Sequence, residues 1–510
     1  MTRQAIGLGV ILAIALLAGC RGASAVAKPA GYIQAELEAS PISLDPRFAT
    51  DAISSRVAEL IFDSLVKLDA RGNFIGDLAE NFQRRSPTEI RFNLRHGIRF
   101  SDGRSLTAAD VKYTYDSVMD AAIASPKRAA LEPLASVAAP DDYTVVMTTR
   151  RPYAAALELA TIGVVPRGSP ARGATLPAGS GPFKLLSFTR DEALILARNG
   201  ARPSAESAAG VVFKIVPDPT VRALELAKGV ADFAENNIQP DLLGYLRARP
   251  GLSISQFPGS GYDYLAFNFS DPKLRDVRVR RAIALAIDRQ AIVGAMLLHT
   301  ARVASGMLSP ENWAFESDVT RYAYDPEAAK RLLDQAGYPE PDGGGHMRFT
   351  LVYKTTPEGR RLAEAFQAML KRVGIGLEIR SNEWATFYSD VQRGNFDLTS
   401  MRWVGISDPH HYYQVFDSRM APPHGLNRGA YSNPAMDRLL EAAEVAFEPA
   451  RRRQIYAEVQ KLAAADLPYV SLWWQDNLVV MSKRIAGFAP YPNGSLLSFS
   501  DLVFDSGAPR

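Results

Sequence analysis

The stretch from Met401 to Tyr431, MRWVGISDPHHYYQVFDSRMAPPHGLNRGAY, holds the residues best suited to gripping a small molecule. It carries Trp403, the pair Tyr412-Tyr413 and three of the chain's six histidines, and Gly and Pro interrupt it as they do a loop. An aromatic wall beside backbone donors suits a solute cleft, and loops on a rigid scaffold are where such contacts concentrate. Plainer roles compete: Trp403 as core, and Asp408 as a helix cap before Pro409. Imidazoles at His410, His411 and His424 would also suit a nickel or iron chelate, although they show no fixed ligand spacing.

Catalytic chemistry has less support. There is no nucleophile elbow, no HExxH and no P-loop, and the only thiol is Cys20. The chain is read as a binding protein rather than an enzyme, with no cofactor. A formal charge of +3 argues against a nucleic-acid binder held by phosphate contacts.

The elements that position these residues must come from a chain of 510 residues, too long for one ordinary core, so two or three lobes are expected. Apolar content of 47% with 22% charged residues fits a folded, water-exposed body. Arg91 to Leu94 alternates as a strand, Ile98 to Phe100 resumes the alternation after a turn, and Asp102-Gly103 makes a second bend. Thr107 and Asp110 then stand at N-cap and N3 of a helix beginning near Ala108. Lys127 to Pro140 reads as helix followed by loops. Gly179-Ser180-Gly181 lets a backbone approach something closely, and Gly181 is a candidate contact. Tyr262 to Phe269 is an apolar strand with aromatic alternation, expected to cross between lobes. It brings Tyr262 and Asn268 into the candidate site. Asp276 to Met296 reads as one long helix whose arginines form a solvated face. Thr356-Pro357 is expected to start a helix, and Arg451 to Arg453 to serve solubility on another. Strands and helices alternate through the second half, as in a sheet covered by helices.

At the N-terminus, Arg3 precedes the apolar run Ala5 to Ala18, which is too short to span a bilayer comfortably. It ends in Leu17-Ala18-Gly19-Cys20, which resembles a lipobox; Cys20 would carry the lipid, and Arg21 to Gly31 would be a tether.

Several of these segments also fit one family pattern. Leu94-Arg95-x-Gly97-x-x-Phe100-x-Asp102-Gly103-x-x-Leu106-Thr107-Ala108-x-Asp110-Val111 resembles the signature of the family 5 extracellular solute-binding proteins, the receptors of ABC importers for peptides, nickel complexes and related solutes. Leu44-Asp45-Pro46, Leu78-Ala79-Glu80, Gly179 to Phe183 and Arg278 to Arg289 (RVRRAIALAIDR) follow in family order. The resemblance implies an α/β, bilobed, periplasmic-binding-protein-like (class II) fold with an extra subdomain inserted in the first lobe. It implies lobe I from 32–70, 180–265 and 486–510, the insert at 71–179 and lobe II at 266–485, after a signal peptide at 1–20 and a tether at 21–31. It implies a monomeric receptor outside the cytoplasmic membrane, lipid-anchored, which captures an oligopeptide- or dipeptide-like solute and delivers it to a membrane permease. The segment Trp403, Gly405, Ile406, Ser407 and Asp408 would line the cleft.

The chain departs from the peptide-binding pattern at one place. Peptide receptors of this family carry an aspartate three residues after the tryptophan, which pairs the peptide's ammonium; here Ile406 occupies that position. Trp403 followed by Asp408-Pro409-His410 looks more like the nickel-binding branch, where a later histidine, His424 here, would be a metal ligand for a nickel, iron or haem-type chelate. A regulatory or scaffold protein on the same fold is the alternative of another class.

Overall fold

A computed structural model describes residues 28–170, 176, 178–200, 208–341 and 346–504. Cys20, and with it the signal-peptide and lipidation reading, lies outside these residues, as does most of the tether. Among the described residues no helix is long and apolar enough to cross a membrane.

One eleven-stranded sheet runs through both lobes. Its order is Ile375–Ser381, Phe349–Thr355, Leu398–Trp403, Leu252–Phe267, Tyr469–Ser482, Phe233–Glu235, Tyr32–Leu37, Gly210–Ile215, Ala193–Arg198 and Phe183–Thr189, with Ala301–Val303 paired separately to Tyr469–Ser482. The two long strands at its centre are antiparallel from Leu252 opposite Ser482 to Ala266 opposite Tyr469, and their register breaks between Phe257 and Gly261. Beyond one end lies a core built on Ile33, Val57, Phe183 and Phe213; beyond the other lie cores built on Phe267, Ile283 and Leu351 and on Tyr264, Tyr412 and Tyr456. Strands buried on both faces read as apolar runs, as Gly210–Ile215 does up to Lys214, which reaches out to Glu225.

A separate four-stranded antiparallel sheet has the order Ala79–Ser86, Glu89–Leu94, Thr144–Thr149, Leu134–Asp141. The helix Ala108–Met119 packs on it, with Val111, Tyr115 and Val118 in a core shared with Phe92 and Val145. Its start is where the spacing of Thr107 and Asp110 places it: the Thr107 backbone N–H donates to Asp110 Oδ2 at 2.8 Å.

Several local expectations are corrected. Ile98 to Phe100 forms no strand, only an isolated bridge from Arg99 to Ser105, because the turn at Asp102-Gly103 leaves too few residues on each side for a ladder. Lys127 to Pro140 contains the strand Leu134–Asp141 after a short 3₁₀ turn at Arg128–Leu131; buried Leu134 and Val137 pair it with Thr144–Thr149, and tertiary pairing overrides helix propensity. The long helix is two, Val277–Ala286 and Arg289–Ala295, parted where Asp288 turns back to cap the second by accepting from Ala291 N at 2.9 Å. The helix expected at Thr356-Pro357 starts at Arg360, after a turn closed by Gly359.

Two arginine readings change as well. Arg280 is buried and donates to the carbonyls of Leu274, Arg275, Asp466 and Leu467, stapling its helix to the chain before Tyr469–Ser482. Arg452 is also buried, and its role belongs to the site.

Candidate functional site

A cavity of about 260 Å³ lies where the two lobes and the four-stranded subdomain meet. Lobe II contributes Gly405 and Ser407, from the loop after the strand Leu398–Trp403. The helix Ala52–Ile61 contributes Glu59, the segment after the helix Ala108–Met119 contributes Lys127, and the C-terminal segment contributes Asn493 and Ser495. A smaller space of about 30 Å³ adjoins it, sharing Ser407 and Asn493 and adding Ile406 and Trp313. Pro46, Phe62, Leu68 and Phe74 make apolar wall, but polar groups such as Ser64, Lys67, Asp77 and Thr161 share the lining, which is about as polar as it is apolar.

The loop that brings Ser407 here is held from behind. Asp408 is buried and accepts two bonds from the Arg452 guanidinium, Nη1 to Oδ2 at 2.7 Å and Nη2 to Oδ1 at 2.5 Å, and a third from His410 N at 2.7 Å. A fork-to-fork pair of this kind fixes geometry as well as charge. Asp408 is therefore engaged within lobe II rather than turned to the cavity. Gly405 bends the loop with φ at +68°, a conformation glycine adopts without strain.

The same loop touches the four-stranded subdomain. Ser407 Oγ donates to Glu158 Oε1 at 2.9 Å, across 249 positions of sequence. Tyr115 Oη donates to the Leu159 carbonyl at 2.8 Å and so steadies the turn that carries Glu158. Nearby, Ala154 N donates to the Glu444 carbonyl at 2.7 Å, the Tyr153 ring meets His410 edge-on at 5.2 Å, and Arg84 stands 4.6 Å over the Phe447 ring. The lobes are thus closed on each other. Burial, with the Asp408 charge adding to it, pushes the Glu158 carboxyl up to about 7, against the pull of His410. Burial works against protonation of His410, but its bond to Glu444 and the charges of Glu444, Glu158 and Asp408 together outweigh that and raise the ring's pKa.

Glu59 and Lys127 face the cavity with their charges incompletely answered. Glu59 accepts from Ser495 Oγ at 2.5 Å, and burial raises its pKa against the pull of that bond, Arg56 and Lys127. Burial lowers the pKa of Lys127, while Glu59 and Asp45 draw it back. Sequence reasoning missed both residues. Glu59 sits on a helix that looked like packing alone, and Lys127 in a stretch read as helix; only the meeting of three distant segments makes them neighbours.

The other expected contacts fall elsewhere. Trp403 is half-buried in the wall of lobe II, stacked on Tyr264 at 5.7 Å with the Arg428 guanidinium 4.9 Å over its ring. Tyr262 stacks on Tyr264 and shares a hydrogen bond of 2.8 Å with Ser471 Oγ. It borders a second cavity, about 320 Å³, inside lobe II, where Arg289 is already satisfied by the carbonyls of Ala304, Ser471 and Tyr322. Asn268 donates to the carbonyls of Gly394 and Phe396 and accepts from Ser270 N. Gly181 packs on the helix Ala52–Ile61, where a Cβ would lie 2.7 Å from the Ile61 carbonyl carbon, so the close approach read from its sequence is to this helix. His411 is half-buried, bonded to Gln414 and held down to about 4, chiefly by loss of water around the ring. His424 is exposed beside Pro422-Pro423, outside both parts of the cleft. Among the described residues no three His, Cys, Asp or Glu side chains gather as a metal site.

Known proteins share this architecture. A putative ABC transporter peptide-binding protein of Brucella ovis is 28% identical over 517 residues, with 95% of each chain covered. A probable di/tripeptide-binding protein of Pseudomonas aeruginosa is 27% identical, with 90% of this chain and 93% of that one covered. Among solved structures, the oligopeptide-binding protein AppA of Bacillus subtilis, in complex with a nonapeptide, superposes with a TM-score of 0.80 at 23% identity over 93% of this chain and 99% of that one. NikA of Brucella suis, in complex with Fe(III)-EDTA, gives 0.84 at 22% over 94% and 100%. These likenesses establish the bilobed binding-protein fold. The profile of the bacterial extracellular solute-binding proteins, family 5, matches residues 73–420, and this chain belongs to that family.

Proposed function

We propose that this protein is the solute-capturing component of an ABC importer, which closes its two lobes on a peptide-like solute and presents the shut form to a permease in the cytoplasmic membrane. The observation that carries this is the cavity between the lobes, lined by Glu59 and Lys127 from one side and by Gly405 and Ser407 from the other. The peptide-binding roles of the Brucella and Pseudomonas relatives support the peptide-like class. Capture is stoichiometric and leaves the solute unchanged. In this reading Cys20 carries a lipid, the mature chain is a monomer tethered outside the cytoplasmic membrane, and lobe I comprises 32–70, 180–265 and 486–510, with 71–179 inserted and 266–485 forming lobe II.

The test fills the cleft. Ser407→Trp places an indole where the loop meets the cavity. The expected result, by native mass spectrometry of gently purified protein, is loss of the co-purified solute with the melting temperature of the emptied protein within a few degrees of wild type. A variant that retains the solute at full occupancy would remove this loop from the site. A wild-type protein that carries no solute and is stabilised by no dipeptide, tripeptide or longer peptide would favour the regulatory or scaffold reading.

A further inference from the structure

The cavity holds one acid and one base that the fold leaves apart. Glu59 and Lys127 both line the same 260 Å³ space. Among the described residues neither has an opposite charge within 4.0 Å, and that includes each other. The charges around them are already paired: Arg56 with Glu235 at 2.8 Å, Asp45 with Arg47 at 2.7 Å, and Lys67 with Asp77 at 2.9 Å on the same cavity's wall. Glu59 accepts from Ser495 Oγ through one carboxylate oxygen, which leaves the other for a further donor. Both are part-buried, and partial loss of water without a partner leaves either charge under-solvated. Two such groups on the wall of one small cavity are therefore complementary to a guest that brings both a cation and an anion.

We propose that Glu59 and Lys127 are the specificity-determining pair of the cleft. They select a small zwitterion of amino-acid or dipeptide size, its ammonium against Glu59 and its carboxylate against Lys127. This rests on the solute-capture reading above and names its substrate class. The ammonium is then read from lobe I, which accounts for Ile406 on the opposite loop, buried among apolar neighbours and unable to pair a charge. Size follows from volume. A cavity of about 260 Å³ is at or below the low end of small-molecule sites, which run from roughly 300 Å³ upward, and it has no room for an extended oligopeptide.

The experiment compares wild type, Glu59→Gln, Lys127→Met and, as a control, Lys371→Met, an exposed lysine outside the cavity lining. Co-purified solute is identified by native mass spectrometry. After its removal by partial unfolding and refolding, calorimetric titration uses L-alanyl-L-alanine, its N-acetyl derivative and its C-terminal amide. The expected solute carries both an ammonium and a carboxylate. Lys127→Met weakens binding of the free and N-acetyl dipeptides at least tenfold and leaves the amide unchanged. Glu59→Gln, which keeps the Ser495 bond, weakens the free dipeptide and the amide and leaves the N-acetyl form unchanged. Lys371→Met behaves as wild type. A co-purified solute that lacks either charge, or failure of wild type to bind the free dipeptide, overturns the pair while leaving solute capture standing. Variants that bind all three probes as wild type does overturn it too. Circular dichroism melts of the emptied variants separate lost recognition from lost folding.

Discussion

Asp408 and Arg452 show how one buried ion pair sets the position of a binding loop without touching the solute. The carboxylate takes both prongs of the guanidinium and the His410 N–H, so the loop that follows Trp403 has one low-energy course. Breaking such a pair from one side leaves an uncompensated buried charge, at a cost of about 3–5 kcal/mol. Arg452→Met should therefore lower the thermal unfolding midpoint by several degrees and weaken solute capture together, whereas Arg451→Met, on an exposed neighbour, should do neither. A midpoint for Arg452→Met equal to wild type in a melting experiment would show the pair to be energetically idle. The partner of Asp408 could not be read from sequence. Three successive arginines on a helix look like a solvated run, and only tertiary packing decides which of them turns inward. Ile406 was legible as a departure, because a residue type that cannot pair an ammonium is visible in the chain itself. Glu59 and Lys127, which face the cavity instead, were not legible, since no local spacing links position 59 to position 127.

At the scale of elements, the turn carrying Glu158 and the loop carrying Ser407 form a latch between the subdomain and lobe II. The groups facing Glu158 are Ser407, Asp408, His410 and Arg452, with Tyr153, Glu444 and Tyr456 around them. When the lobes part, the Glu158 carboxyl returns toward its ordinary value of 4.5; closed, it titrates at about 7. The shut form thus holds a proton that the open form releases between those values. Closure is penalised in full above about pH 7 and unpenalised below 4.5. His410 adds little to this slope, because Glu444, which does most to raise its pKa, lies on the same lobe and stays beside it when the lobes part. Solute affinity should therefore tighten on acidification, on the order of tenfold between pH 8 and pH 5.5, since each step of about one pH between the open and shut values changes the closing equilibrium by up to roughly a factor of ten. Glu158→Gln, uncharged at every pH, should flatten most of that slope. Titration calorimetry across this range decides it, and an affinity that falls on acidification would reverse the assignment. The elements themselves were legible where capping fixed them, as at Thr107 and Asp110. They were misread where pairing with a distant strand overruled local preference, as at Leu134–Asp141.

For the whole molecule, the question is what keeps the lobes shut. The central strands Leu252–Phe267 and Tyr469–Ser482 pass through both halves of one sheet, so any opening must bend or twist them. Their register breaks between Phe257 and Gly261, where the ladder is interrupted and resists bending least. Against that hinge stand few direct closing contacts, among them Ala154 to Glu444, Ser407 to Glu158, the Tyr153 ring on His410 and Arg84 over the Phe447 ring. Neutral or charge-assisted, each such bond contributes on the order of 1 kcal/mol net, too little to exclude an open form. A solute that bridges Glu59 and Lys127 on one side and Gly405 and Ser407 on the other has its full set of contacts only when the lobes are shut, and it shifts the population accordingly. Small-angle scattering of the emptied protein should give a larger radius of gyration than the same protein saturated with the solute recovered from it. Ser407→Trp, which blocks the seat and the latch together, should stay at the larger value whatever is added. A radius that does not change on saturation of the wild type would mean that the hinge is rigid and that the solute enters a cleft already closed.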